Sequence, residues 1–299
     1  NMEVASLFIY PIKSCSGISV PSFQLSDKGP LYDREWMIVK EDGSFITARQ
    51  KPQLLTTRVR FTDDKSFFEI EIPGKQEKLY LPLNNSKAAV VGAVPPTISE
   101  IPDLEKNEKK VRVFKVHCLG EDVGDAAAKF FSDFVDKPVR VVRSSTRIPP
   151  RKVGDDESSK PFLVNPTDLV GYADGFPYLL TTEASLEDLN KRIGKELPAQ
   201  RFRSNIIVKG AEPWQEDSMR VIQIGDHEFL GSKCCARCKM TTIDQTTGKF
   251  DGKEPLETMG SFRRQKDFPD SSSSGLIFGK NLIQIDRDNS VHTISVGDS

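Results

Sequence analysis

Cys234, Cys235 and Cys238 of the segment KCCARCKM fall within five positions, the densest cluster of soft, redox-capable side chains in the chain. Thiolates bind soft metals or exchange with disulfides, and unreactive thiols simply fill core space. Arg237 beside Cys238 suits either an ionised sulfur or an anionic ligand group. Structural zinc would need two further ligands at a compatible spacing. The remaining cysteines, Cys15 and Cys118, and the three histidines, His117, His227 and His292, are scattered. A thioredoxin-like pair belongs where a strand meets a helix N-terminus, but the β-branched run that follows predicts a strand over 239–243. Two further readings remain open beside these. The cysteines are inert core residues, or one thiolate serves a redox-active metal whose cofactor brings its other ligands, as a dithiolene-bearing pterin does.

The composition bounds what such a site serves. The 299 residues carry 42 basic and 43 acidic side chains, a net charge of −1, with 37% hydrophobic residues. That suits a soluble globular protein with a sizeable core and argues against a surface devoted to nucleic acid. No apolar run reaches the roughly 18 residues that span a bilayer. The opening NMEVASLFIYPIKS carries no signal-peptide pattern. Five cysteines, two of them isolated, make no secreted disulfide framework, so a reducing compartment is expected. A monomer is expected as well.

The elements that must position the cluster are mostly strands. Ala5 to Ile12 and Trp36 to Val39 are short apolar runs, the second leading through the turn signal Asp42-Gly43 to Phe45–Ala48. Phe68, Ile70 and Ile72 alternate with Glu69 and Glu71, the period of a half-buried strand, and Leu79, Leu81 and Leu83 repeat it. Val123, Ala127, Phe130 and Phe134 line one helical face ahead of Pro138, and a strand follows at Val139 to Val142. Ser144 to Pro166 is polar and proline-containing and reads as a long mobile loop or linker. A second helix starts with Thr182 as N-cap and buries Leu186, Leu189 and Ile193. Strands are expected at Phe202 to Val208, on both sides of Gly225-Asp226, and near Ile283 and Ile294, with a short helix around Leu256, Met259 and Phe262. The fold class predicted is α+β, built around a β-barrel or bent sheets without regular βαβ alternation.

Seven segments occur in an order that carries more than any one of them: YPIKSC (10–15), DREW (33–36), TARQ (47–50), YADGFPYLL (172–180), RFRSNIIV (201–208), CARCKMTTID (235–244) and KEPLETM (253–259). Together they resemble the amidoxime-reducing molybdenum enzymes of the MOSC superfamily, which also includes the C-terminal domain of molybdenum cofactor sulfurase. The resemblance covers nearly the whole chain and implies a β-rich, barrel-like MOSC N-terminal region over 1–145 and a cofactor-binding MOSC domain over 146–299.

It also implies a molybdenum cofactor, Mo-molybdopterin, held by one cysteine thiolate, which falls on Cys238. Ala236 and Arg237 would lie along the cofactor, Ala236 standing where some relatives carry Ser, and Cys235 would be a neighbour. Lys13, Ser14, Arg34 and Arg203 make sense as donors to the pterin phosphate, Asn205 as an amide for a pterin edge, and Asp174 as an acceptor from pterin N–H groups. Outside the resemblance, Asp174 before Gly175 is a turn former and the arginines are ordinary surface or ion-pair residues. Some relatives place a cofactor-contacting Tyr where this chain has Asn281.

The implied activity is two-electron reduction of N-hydroxylated compounds (amidoximes, hydroxylamines, N-hydroxylated bases), with nitrite reduction to nitric oxide as a related reaction. The implied electron donors are a small b-type haem cytochrome and its NADH-dependent flavoprotein reductase. The implied place is the cytosolic face of the outer mitochondrial membrane, with the cytoplasm as alternative. A non-catalytic cofactor carrier and a sulfur-transfer MOSC protein are the rival functions.

Overall fold

The computed structural model describes residues 2–105, 107–144, 151–155, 164–264, 275–288 and 290–299. It is α+β and strand-rich, with three α-helices among the described residues: α1 (Asp125–Val135), α2 (Glu183–Ile193) and α3 (Leu256–Met259). Its largest sheet has seven strands in the order Val221–Ile224, His227–Arg237, Leu276–Gln284, Tyr178–Thr182, Ile206–Lys209, Glu3–Ile9 and Ile18–Val20. The first strand of the chain therefore pairs with one beginning at Ile206, and the sheet crosses the expected division at 145/146. Its parallel pair, Tyr178–Thr182 beside Ile206–Lys209, is joined through α2. Two four-stranded sheets, one holding Trp36–Val39 and the other Phe67–Glu71, complete the N-terminal half.

The apolar periodicity explains the core. Trp36 is 1% exposed and meets Phe68 edge to face at 5.6 Å between centroids. Ala127, Phe130 and Phe131 of α1 pack into the same cluster, with Phe134 half-buried beside it. The strand Phe67–Glu71 is buried on both faces, not one. Glu69 was expected to face water; it is 5% exposed, 2.9 Å from Lys78 Nζ, and accepts from the Tyr80 hydroxyl. A paired carboxylate can be covered at modest cost, whereas an unpaired one cannot.

Other local expectations yield to tertiary contacts. The expected strand over 239–243 is confined to its end, Ile243, which opens the two-residue strand Ile243–Asp244: Lys239–Thr242 is a tight 3-10 turn with Cys238 at its N-cap. The threonines supply the reason, since the Thr241 and Thr242 hydroxyls bond back to the carbonyls of Cys238 and Lys239 at 3.0 and 2.9 Å. Phe202 likewise ends a 3-10 turn, and its strand begins only at Ile206. Phe45 bridges Val39 without a strand to Ala48. Within the stretch 144–166, residues 145–150 and 156–163 lie outside the described residues, but Arg151–Lys152 pairs with Leu169–Val170 and Arg151 is 5% exposed.

Helix α2 begins as its sequence predicts. The Thr182 hydroxyl accepts from Ser185 N at 3.2 Å, and Leu189 is fully buried. Less expected is Glu216, fully buried against this cap, whose Oε2 accepts from the Ser185 hydroxyl at 2.7 Å while Oε1 has no partner among the described residues. Burial raises its pKa above 4.5, only partly offset by the Ser185 hydrogen bond. A raised acid favours the native state below the unfolded value and loses that stability as pH climbs through the folded one. Glu216→Gln should therefore match the wild type below pH 4.5 and exceed it at pH 8, each unit of elevation being worth about 1.4 kcal/mol. Denaturant unfolding at both pH values checks this, and equal stability at pH 8 would count against a buried, ionising Glu216.

Candidate functional site

The segment after the first strand runs along DREW through backbone hydrogen bonds. Arg34 N donates to Tyr10 O at 2.8 Å, Trp36 N to Pro11 O at 3.0 Å and Lys13 N to Trp36 O at 2.8 Å. Tyr172 N donates to Arg34 O at 3.2 Å, which brings in YADGFP, and Asn205 N to Leu179 O at 2.9 Å, which adds RFRSN. Across the large sheet the long strand His227–Arg237 pairs with Leu276–Gln284 through two register shifts, one between Gly231 and Lys233 and one between Cys234 and Ala236. Opposite the second, Gly279 has φ +86°, and a Cβ there would lie 2.8 Å from Leu180 O. Such bulges re-aim side chains.

These segments enclose a cavity of about 220 Å³. All nine residues marked by the resemblance line it: Lys13, Ser14, Arg34, Asp174, Arg203, Asn205, Ala236, Arg237 and Cys238. Ser14, Arg34 and Arg203 have φ of 70°, 46° and 56°, left-handed values that side chains other than Gly adopt at a cost of order 1 kcal/mol each. Surrounding contacts hold these conformations in place. Arg34 and Arg203 both lie against the ring of Tyr10, 4.3 and 4.4 Å from its centroid.

The charge balance is lopsided. Lys13, Arg34, Arg49, Arg203 and Arg237 line the cavity against the single carboxylate of Asp174. Asp33, buried behind it, pairs with Arg34 at 2.5 Å and accepts from Tyr10 N at 2.8 Å. No carboxylate among the described residues pairs with Arg203, which is 5% exposed and donates to Cys15 O at 2.5 Å. Burial and the neighbouring Arg34 guanidinium lower its pKa to about 10. Burial also lowers the pKa of Lys13, against the pull of Asp174. The Asp174 side chain is 72% exposed, so desolvation raises its carboxyl only weakly, and the Lys13 ammonium and then Arg34 and Arg151 hold it at about 2. The cavity thus keeps fixed positive charge in a partly desolvated place, where charge-assisted bonds to an anion are strong.

The three clustered cysteines separate by environment. Cys234 is buried, with Lys280 Nζ 3.8 Å from its sulfur, and is not part of the cavity lining. Cys235 is half-buried, and Cys238 is exposed at the cavity wall. Arg237 does not turn to the neighbouring Cys238: it donates to Cys235 Sγ at 3.0 Å and to Phe202 O at 2.5 Å. The Nε of Arg237 is buried without a partner among the described residues. The amide of Asn205 donates to Phe8 O at 3.2 Å and accepts from Leu179 N at 3.2 Å and Arg34 at 3.4 Å, so it fastens the strands and steadies that guanidinium.

Some residues of the site were not singled out in the sequence. Tyr10 and Asp33 carry no local signal of a site role within YPIKSC and DREW. Arg151, from a proline-rich stretch that reads as loop, donates to Gly171 O at 2.9 Å and also to Ala173 O, bracing the segment that carries Asp174. Nothing local to Arg151 signals that role, because its partners lie about 20 residues ahead.

Comparison with known proteins agrees with this architecture. The model of the MOSC N-terminal beta barrel domain matches residues 1–138, and that of the MOSC domain matches residues 168–299. Fold and cavity thus define a protein that joins both MOSC domains in one chain. Mitochondrial amidoxime reducing component 2 of Rattus norvegicus is 37% identical over 265 residues, covering 87% of this chain and 72% of that protein. Mitochondrial amidoxime-reducing component 1 of Homo sapiens is 34% identical over 266 residues, with 87% and 72% covered. A molybdenum cofactor sulfurase of Oryza sativa is 31% identical over 285 residues, covering 89% of this chain but 31% of that protein. The chain belongs to the amidoxime reducing component family of MOSC-domain proteins.

Proposed function

We propose that this chain holds a molybdenum–molybdopterin cofactor in the basic cavity and reduces N-hydroxylated compounds to their parent bases and water. The observation that carries the reading is the surplus of five cationic side chains over one carboxylate, set beside an exposed thiol. These residues fit the group. Arg34, Arg203 and Lys13 offer fork-shaped and point-charge donors for a phosphate, and the unpartnered Nε of Arg237 is a buried donor available to a ligand. Cys238 is a soft sulfur ligand for molybdenum, and its exposure leaves it accessible.

When bound, such a cofactor supplies the two-electron chemistry of N–O cleavage. The chain's own residues bind, orient and neutralise. Arg203 and Arg34 are fixed against Tyr10 before any ligand arrives, so little ordering is left to do on binding. The Lys13–Asp174 pair places both a donor and an acceptor on the cavity wall. Conversion of an amidoxime to an amidine consumes two electrons and two protons and releases water. The electrons come from NADH through a flavoprotein reductase and a small b-type cytochrome. Placement at the mitochondrion follows the names of the relatives, which are mitochondrial components.

Purified protein should contain about one molybdenum and one pterin per chain and reduce benzamidoxime with NADH once cytochrome and reductase are supplied. Molybdenum-loaded protein without turnover would establish the carrier function instead, and zinc without molybdenum would remove both.

A further inference from the structure

We infer that Phe45 and Phe114 form a substrate-selecting lip on this cavity that takes the planar aryl or heteroaryl body of an N-hydroxylated compound. The inference rests on the proposed function for the identity of the head group. Both rings line the cavity and meet edge to face, 5.4 Å between centroids and 87° between planes.

Phe114 is poorly explained by folding alone. It is the first residue of the two-residue loop Phe114–Lys115 that joins the paired residues Val113 and Val116. Its φ is 53°, and a hairpin turn with a left-handed first position favours glycine. The residue is also 37% exposed, and the ring it meets is Phe45 on the cavity wall. A strained backbone position whose side chain packs on a cavity wall points to a functional role.

The partner ring is preset as well. Arg112 N donates to Gly43 O at 3.0 Å, and Ser44 bridges Arg112, which fastens the loop before Phe45 to the hairpin that carries Phe114. Gly43 has φ +74°, and a Cβ there would meet Lys110 O at 2.4 Å. Only glycine lets the two loops come this close, so the rings are held together before a ligand arrives. The Lys13 ammonium lies 4.9 Å from the Phe45 centroid and 5.7 Å from that of Phe114, and it also pairs with Asp174. Aromatic surface thus adjoins the Lys13–Asp174 pair that the proposed function gives to the cofactor. A substrate whose N-hydroxylated head enters this cavity can lay a flat π-system against the two rings, through offset or edge-to-face contact. An alkyl analogue with the same head leaves the rings unused.

The test compares benzamidoxime with acetamidoxime on the cofactor-loaded protein in the NADH-coupled system, for wild type and Phe114→Gly. The KM ratio of benzamidoxime to acetamidoxime should rise about tenfold in the variant, equivalent to about 1.4 kcal/mol. Benzamidine binding followed by calorimetry should weaken by the same factor, while the Tm holds because glycine suits the turn. A KM ratio and a benzamidine affinity that both stay put, or a Tm several degrees lower with both substrates affected alike, would overturn the lip. If the wild type reduces neither amidoxime, the proposed function fails separately. Benzamidine binding then decides the lip by itself: Phe114-dependent binding upholds it, and binding indifferent to Phe114 removes it.

Discussion

Cys238→Ala should abolish benzamidoxime turnover, lowering kcat at least about a thousandfold, roughly 4 kcal/mol of lost transition-state stabilisation. Cys235→Ala should keep much of the activity. The difference follows from where each sulfur sits. Cys238 caps a 3-10 turn at the end of the long strand and is exposed on the cavity wall. Cys235 is half-buried and occupied as an acceptor for the Arg237 guanidinium at 3.0 Å. Removing it costs that one contact, while Arg237 stays anchored to Phe202 O at 2.5 Å and stays 5.6 Å from the centroid of the Phe202 ring. Cys238→Ser separates chemistry from shape, since a hydroxyl of similar size stays protonated at neutral pH and replaces the strong thiolate donor with a weak one. It should be as inactive as Cys238→Ala. Full activity in Cys238→Ala with loss in Cys235→Ala would show that the other thiol is the working one.

Arg203→Ala should lower the pterin content of purified protein by about tenfold or more, the scale set by losing charge-assisted hydrogen bonds worth roughly 1.5–3 kcal/mol. The apo protein need not suffer comparably. Arg203 is 5% exposed and has no carboxylate partner among the described residues, and its charge is disfavoured by burial and by Arg34. Its removal relieves that repulsion at the expense of the bond to Cys15 O and the contact with Tyr10. Arg203→Lys keeps the charge but loses the planar fork, so its loading should be intermediate. Pterin fluorescence of the denatured protein measures all three. Wild-type loading in Arg203→Ala would remove this side chain from the cofactor site.

Much of the scaffold is legible from short stretches of chain. The stripe of Ala127 and Phe130 places α1, and Thr182 followed by Glu183 starts α2 where the structure has it. The turn at Gly225-Asp226 joins two paired strands. Each of these signals needs only neighbours within a turn or a strand pair. The failures share a cause too. Met240-Thr241-Thr242 has the composition of a strand, yet the threonine hydroxyls satisfy nearby carbonyls and stabilise a tight turn instead. Glu69 looks like a solvent-facing residue until Lys78 and Tyr80 are brought over it.

The candidate site divides in the same way. The order of seven short segments carries the family resemblance, and it is that resemblance which points to the nine residues lining the cavity; residue type alone leaves the arginines as surface or ion-pair residues and Asp174 as a turn former. Which thiol is exposed, that Arg203 has no carboxylate partner among the described residues, and which sulfur Arg237 touches are decided only by the tertiary structure. Those facts depend on contacts between residues far apart in sequence, such as Arg203 with Cys15 and Lys13 with Tyr172. Burial sets the energy of each charge, and burial is a property of the assembled sheets and not of any one segment.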